Sequence, residues 1–191
     1  MTPSTSSSIV ISKWTLDEYH QMIDAGILSD RPVELLNGEI IEMPPEGKPH
    51  AHLSSNAADY FRELLHGRAK IREGKPITLP NHSEPEPDIA VVQDLGDTYL
   101  EHHPYPENIF WVVEYSDSSL TKDLEVKPKI YAQAGIPEYW ATNLKRMELV
   151  VFRDPSDDDY REKRTLIEGD IRPVAFPDVV ISVGRLLRRR G

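Results

Sequence analysis

Apolar residues fall along this chain in short blocks bounded by turn residues, interleaved with stretches that repeat at helical spacing. Thr15-Leu16-Asp17-Glu18 has capping-box spacing, and a helix is predicted from about Leu16 to Ala25, stopped by Gly26. Tyr19, Met22 and Ile23 share a face of it and are expected to turn inward. Asn37-Gly38, between the apolar segments of PVELLNGEIIEMP, predicts a β-hairpin because both residues tolerate positive φ, and Pro44-Pro45 ends its second strand. From His50 or Ala51 to about Leu65, Leu53, Ala57, Tyr60, Phe61, Leu64 and Leu65 recur with a helical period, with Gly67 as the expected stop.

Lys70 to Leu79 alternates loosely and reads as a strand interrupted by Gly74 and Pro76. Ile89–Val92 and Ile109–Val113 are unbroken apolar runs, too short for helices and suited to buried strands. Asn81–Pro87 is a turn-rich loop, and Asp94–Pro106 a polar loop without a period, whose His102 and His103 are expected to face solvent. A short helix carries Lys127 and Tyr131 one turn apart; Pro128 is tolerated only near a helix start, which places Lys127 there. Glu138–Thr142, Glu148–Arg153 and Glu162–Ile167 read as successive antiparallel strands, with Asp154–Asp159 a solvated turn between the last two. Val174–Leu187 holds a short strand and a terminal helical turn. Strands in sequence around one crossover helix indicate a single α/β or α+β domain over residues 9–187. The polar residues 1–8 are expected to be a disordered tail and 188–191 a basic one.

Composition narrows the chemistry. The 191 residues include no cysteine, which excludes disulfides, thiolate metal sites and cysteine nucleophiles. No apolar stretch approaches a membrane span and no secretory leader is evident, so a cytoplasmic protein is expected. The formal charge of −10 argues against a tight, non-specific nucleic-acid binder, and more so because four arginines crowd the last seven residues. No glycine-rich phosphate loop is present, and the serines of Ser116–Ser119 lack a base and acid that would make a hydrolase triad.

Two carboxylates stand out against this background. Asp88 opens the apolar run Ile89–Val92, and Glu114 follows five consecutive apolar residues, where an unpaired charge is costly. Alone, Asp88 reads as a strand terminator, and Glu114 as one half of a salt bridge to Lys127. Together, at one edge of adjacent strands, they would repel each other unless a divalent cation intervened, and magnesium takes one or two protein carboxylates plus water and phosphate. A lysine beside them would orient water and stabilise charge on phosphate. Trp111 and Trp140 are expected in the core rather than as base-stacking platforms.

The segments VELLNGEIIEMPPEGKPH, EPDIAVV, FWVVEYSDSSL and DLEVKPKIYAQAGIPEYW together resemble the Uma2 family (domain of unknown function eight-twenty) of the PD-(D/E)XK restriction-endonuclease-like superfamily, from about Trp14 to Leu187. The resemblance implies an α/β fold with a restriction-endonuclease-like core: a mixed β-sheet flanked by helices, preceded by an N-terminal helix and β-hairpin. It implies Mg²⁺-dependent cleavage of nucleic acid, DNA in the first instance, with Mn²⁺ as a substitute and a homodimer as one way to cut both strands. Residue by residue, the motif's Pro-Asp is Pro87-Asp88 and its acidic partner Glu114, both metal ligands. Ser116 occupies the usual lysine position, and the lysine's role passes to Lys127, with Lys129 expected to point elsewhere. Glu34 matches a glutamate that holds the metal or a water, or is simply a hairpin glutamate. His50 matches a histidine at a helix start, which contacts phosphate or faces solvent; His52 is its ambiguous neighbour. On this reading Lys127→Ala abolishes cleavage at unchanged stability. The rival is a non-catalytic nuclease fold retained as a binding or interaction module, with Asp88, Glu114 and Lys127 as a buried salt-bridge network.

Overall fold

The chain starts with helix α1 (Leu16–Asp24), the hairpin of β1 (Val33–Leu36) and β2 (Glu39–Glu42), and helix α2 (Lys48–Leu65). Six strands then form one sheet in chain order: β3 (Lys70–Glu73), β4 (Ile89–Val92), β5 (Ile109–Ser116), β6 (Glu138–Asn143), β7 (Glu148–Pro155) and β8 (Tyr160–Leu166). Helix α3 (Lys127–Gln133) crosses between β5 and β6, which makes that pair parallel while every other neighbouring pair is antiparallel. The short pair β9 (Asp170–Ile171) and β10 (Ile181–Ser182) and helix α4 (Val183–Leu187) follow. This computed structural model describes residues 11–117 and 119–187, and the tails expected at 1–8 and 188–191 lie outside them.

Helices cover both faces of the central strands, which is why β4 and β5 are apolar without alternation. Ile89, Val91, Trp111, Val113 and Tyr115 face α2, where Phe61 packs edge-on against both Trp111 and Trp140. Ala90, Val92 and Val112 face α3, where they meet Ile130 and Tyr131. The hairpin is sided in the same way: Val33 and Leu35 pack under α1, and Leu36 joins the core beneath α3. Glu34 shares the side of Leu36, with consequences for the site. Backbone pairing of Leu35 with Glu84 ties the hairpin to the body of the protein.

The capping box at Thr15 and Glu18 and the Asn37-Gly38 turn, both residues at positive φ, form as the sequence predicts. Several expectations are corrected. Ile23 is 46% exposed, so Tyr19 and Met22 face the hairpin without it. The strand expected over 70–79 ends at Glu73: Gly74 still gives its N–H to the Asp88 carbonyl, but its φ of 50° turns the chain out of the ladder. Helix α2 starts at Lys48, and the left-handed residue that ends it is His66, with Gly67 following. His102 and His103 are half-buried rather than solvated, and the His102 ring stacks on Tyr105 at 4.4 Å. The short strand and helical turn expected within 174–187 are β10 and α4, whereas β9, the partner of β10, has no counterpart in the sequence reading; a two-residue strand carries no periodic signal.

Candidate active site

Strand register builds the site. Ile89 pairs with Val113 across the antiparallel β4–β5 ladder, so Asp88 and Glu114 come next to one another at one end of it. Asp88 Oδ2 accepts the Tyr115 backbone N–H at 2.6 Å, which fixes its carboxylate against β5. Glu114 alternates onto the α3 face, where Lys127 Nζ lies 2.7 Å from its Oε1 and the Tyr131 hydroxyl donates to the same oxygen at 3.1 Å. The helical spacing of Lys127 and Tyr131 thus sets two donors on one buried carboxylate. Lys129 is exposed, on the opposite side of the helix.

Glu34 reaches the same lysine from the hairpin. Its Oε2 stands 3.0 Å from Lys127 Nζ, and its Oε1 2.6 Å from Lys122 Nζ. Lysines five residues apart on an α-helix point in different directions. Here the helix opens into a π turn over Lys122–Val126, closed by the Lys127 N–H on the Lys122 carbonyl, and residues five apart come nearly into line. Pro128 has no N–H to continue the tighter ladder, which gives the π turn a local cause. Lys127 starts the regular α-helix, as its proline neighbour requires, but it does so inside a longer helical segment.

A cavity of about 420 Å³ opens over these groups, lined among others by Glu34, Glu46, His50, Asp88, Glu114 and Lys127. Its rim and floor hold seven carboxylates (Glu34, Glu46, Glu86, Asp88, Glu114, Asp117 and Asp123) against the lysines Lys122 and Lys127. His50, in the first turn of α2, brings Nε2 to 2.9 Å from Asp88 Oδ1. That nitrogen is buried, and the ion-pair contact with Asp88 is its engagement among the described residues. Glu46, His50 and Asp88 offer ligand atoms that all lie within 4.8 Å of one another. One imidazole nitrogen and two carboxylates converging in this way fit a divalent cation.

The protonation states follow from the imbalance. Burial opposes ionisation of Glu34, but Lys127 and Lys122 outweigh it and hold the carboxyl below its ordinary value. Burial likewise opposes the Lys127 charge, and Glu114 and Glu34 overcome it, holding the ammonium well above its usual value. One ammonium between two carboxylates neutralises one of them. Glu34 has a second lysine; Glu114 has Asp88, Asp123 and Glu34 nearby, and burial pushes it up to about 8. Glu114 is therefore the group that keeps a proton near neutrality. Burial works against His50 charging, but Asp88, with Glu46 and Glu114 behind it, raises its value.

The structure thus brings Asp88, Glu114, Lys127, Glu34 and His50 to one cavity, and leaves His52 exposed against Asn56. Lys127 is 2% exposed with two ionic partners, so unchanged stability is not expected of Lys127→Ala: the substitution would leave Glu34 with one ion pair of two and Glu114 with none. Ser116, in the usual lysine position, donates to Asp123 Oδ2 at 2.8 Å, and Ser119 also bonds that oxygen. Sequence reasoning missed Glu46, Lys122 and Asp123. Glu46 stands four residues before His50 in a proline-rich loop, a weak signal; the roles of Lys122 and Asp123 depend on the π turn.

Comparison with known proteins bears on the fold and the family. A crystal structure described as a putative nuclease belonging to DUF820 from Anabaena variabilis superposes with TM-score 0.64 at 17% identity, over 81% of this chain and 89% of that one, a likeness of fold. No curated protein matches the chain. The Uma2 family, described as "Putative restriction endonuclease", matches residues 16–184, nearly all of the described chain, and the protein belongs to that family.

Proposed function

We propose that this protein is a metal-dependent endonuclease that hydrolyses phosphodiester bonds of nucleic acid, DNA foremost. The observation that supports it most is the placing of Asp88 and Glu114 side by side at one end of the β4–β5 ladder, facing a cavity that also receives Lys127. Seven acidic side chains against two lysines, even with Glu114 protonated, give that cavity a field that draws a cation and repels phosphate, so a phosphodiester needs a counter-charge to enter. A divalent ion, Mg²⁺ or Mn²⁺, held by Asp88 and Glu114 supplies that charge and lowers the pKa of a bound water.

The protein's own groups do the rest. Lys127 engages Glu114 and Glu34 with two of its three N–H donors, and the third is free to hold the attacking water or a phosphate oxygen at the cavity floor. Glu34 keeps Lys127 charged and fixed in direction. Asp88 is oriented by the Tyr115 amide and needs no rearrangement to act as a ligand. His50 sits where it meets phosphate or cation. The family's name and the neighbouring nuclease support a nucleic-acid substrate.

The test is Asp88→Asn, which keeps an acceptor for the Tyr115 amide and removes the charge. Purified protein is assayed on single- and double-stranded DNA and RNA with Mg²⁺ or Mn²⁺. Cleavage by the wild type that falls to background in Asp88→Asn, at an unaltered melting temperature, supports the nuclease. One observation favours the rival module: Lys127, Glu114, Glu34 and Lys122 already form a closed ion-pair network. Absence of cleavage on all substrates, with the wild type folded and metal present, decides for that reading.

A further inference from the structure

We propose that Glu46 and His50 join Asp88 in holding the divalent cation, and that the imidazole makes this a manganese site in preference to a magnesium one. This rests on the reading of the cavity as a metal-dependent nuclease site and names the ligands and the ion that the reading leaves open. Three groups from different elements carry it: Glu46 from the loop after β2, His50 from the first turn of α2, and Asp88 from the start of β4. Their ligand atoms lie within 4.8 Å of one another. Oxygen and nitrogen ligands on one ion at about 2.0–2.6 Å stand no more than about 5 Å apart, so the set fits around a single centre with little adjustment. That adjustment falls to Glu46, the exposed member.

His50 is the informative residue. Its Nε2 is buried, lacks a hydrogen bond, and lies 2.9 Å from the Asp88 oxygen opposite. A histidine present only to anchor Asp88 would aim its N–H along that contact; one that presents a lone pair to a shared ion has no such need. Magnesium keeps its waters and demands oxygen ligands in a near-ideal octahedron, so one nitrogen donor costs it more than it costs Mn²⁺, a transition metal that shares its affinity for carboxylates. Glu114 gives Lys127 and Tyr131 its Oε1, which leaves Oε2 for the ion, and Glu46 and His50 add to the pair that Asp88 and Glu114 form.

Mn²⁺ itself is the probe. Titration of the full chain, followed by the loss of the free-ion electron paramagnetic resonance signal, gives the affinity; pulsed measurements on the bound ion report directly coordinated ¹⁴N. The wild type is expected to show ¹⁴N coupling, absent in His50→Ala. Loss of a ligand costs at least as much as loss of a partner outside the coordination sphere, so the affinity should fall about tenfold or more in His50→Ala and in Glu46→Ala. Glu46 is exposed, so Glu46→Ala tests the set without threatening the fold. Bound Mn²⁺ without nitrogen coupling in the wild type, coupling that survives in His50→Ala, or no Mn²⁺ binding at all overturns the proposal. Mn²⁺-dependent cleavage without nitrogen coupling defeats this ligand set and leaves the nuclease standing. Coupling with no cleavage of any nucleic acid does the reverse.

Discussion

Lys127 is a buried ammonium with Glu114 at 2.7 Å and Glu34 at 3.0 Å, and the three cannot be altered independently. Lys127→Ala removes the only cation on Glu114 among the described residues and one of two on Glu34, which should destabilise the fold by about 3–5 kcal/mol, as broken buried pairs do. Urea unfolding checks this, and a loss below about 1 kcal/mol would contradict the buried network. Its lost activity alone therefore says little about catalysis, which is why Asp88→Asn is the better probe of function. Glu114 sets a pH signature. Its folded value of about 8 lies above the ordinary 4.5, so between those limits the folded chain binds a proton that the unfolded chain has released. Stability should therefore fall as pH rises from about 5 to 8, by an amount on the order of a few kcal/mol at most, and Glu114→Gln should flatten the slope. Glu34 acts in the other direction: its value is lowered, so its contribution is present above the ordinary carboxylate range and is lost only in acid. Urea midpoints of wild type and Glu114→Gln across that range decide it; parallel curves would mean that Glu114 is ionised throughout.

The hairpin matters because it delivers Glu34, and it depends on one turn. Gly38 has φ +75°, and a Cβ there would lie 2.7 Å from Lys13 Cβ and 2.9 Å from the Trp14 carbonyl. Gly38→Ala should cost about 1 kcal/mol or more from backbone conformation, plus the displacement of residues 13 and 14, and should lower the melting temperature by several degrees. A Gly38→Ala variant as stable as the wild type would mean that this turn relaxes freely. The turn was legible in the sequence because Asn-Gly has a local cause, and so were β4 and β5, whose burial on both faces leaves an unbroken apolar run. Asp88 and Glu114 were legible for the same reason: each marks where such a run meets a charge. Strand β3 reads too long in the sequence because loose alternation continues past Gly74, whose positive φ ends the ladder. The ion network was not legible beyond Lys127, since Glu34 and Lys122 are 88 residues apart and meet only through the hairpin's docking and the π turn. Pro128 marks the turn locally, but nothing beside it in the sequence names Glu34 as the partner of Lys122 and Lys127.

Charge is what the molecule as a whole imposes on the proposed activity. The formal charge is −10, and the exposed basic residues Arg161, Lys163 and Arg164 lie on β8, the far edge of the sheet from the cavity, where they blunt an open strand edge. No helix among the described residues is long and apolar enough to cross a membrane. Among the described residues that line the cavity the lysines are Lys122 and Lys127, both already paired with carboxylates. A duplex approaching Asp88 therefore meets net negative charge unless an ion is bound, and affinity for DNA should be coupled to metal. In a chelator the protein should leave a fluorescent duplex unbound at near-physiological salt. With Ca²⁺, which takes oxygen ligands without supporting the same water chemistry, binding should appear in Asp88-intact protein and be lost in Asp88→Asn. The salt dependence should also be shallow. Each phosphate neutralised by a protein cation contributes about −0.9 to the slope of log K against log salt, and Lys122 and Lys127 together allow a magnitude no greater than about 2. Fluorescence anisotropy measures both quantities in one series. Tight binding in the chelator, or a slope steeper than about −4, would place DNA on a basic surface away from this cavity and detach the acidic site from its proposed substrate.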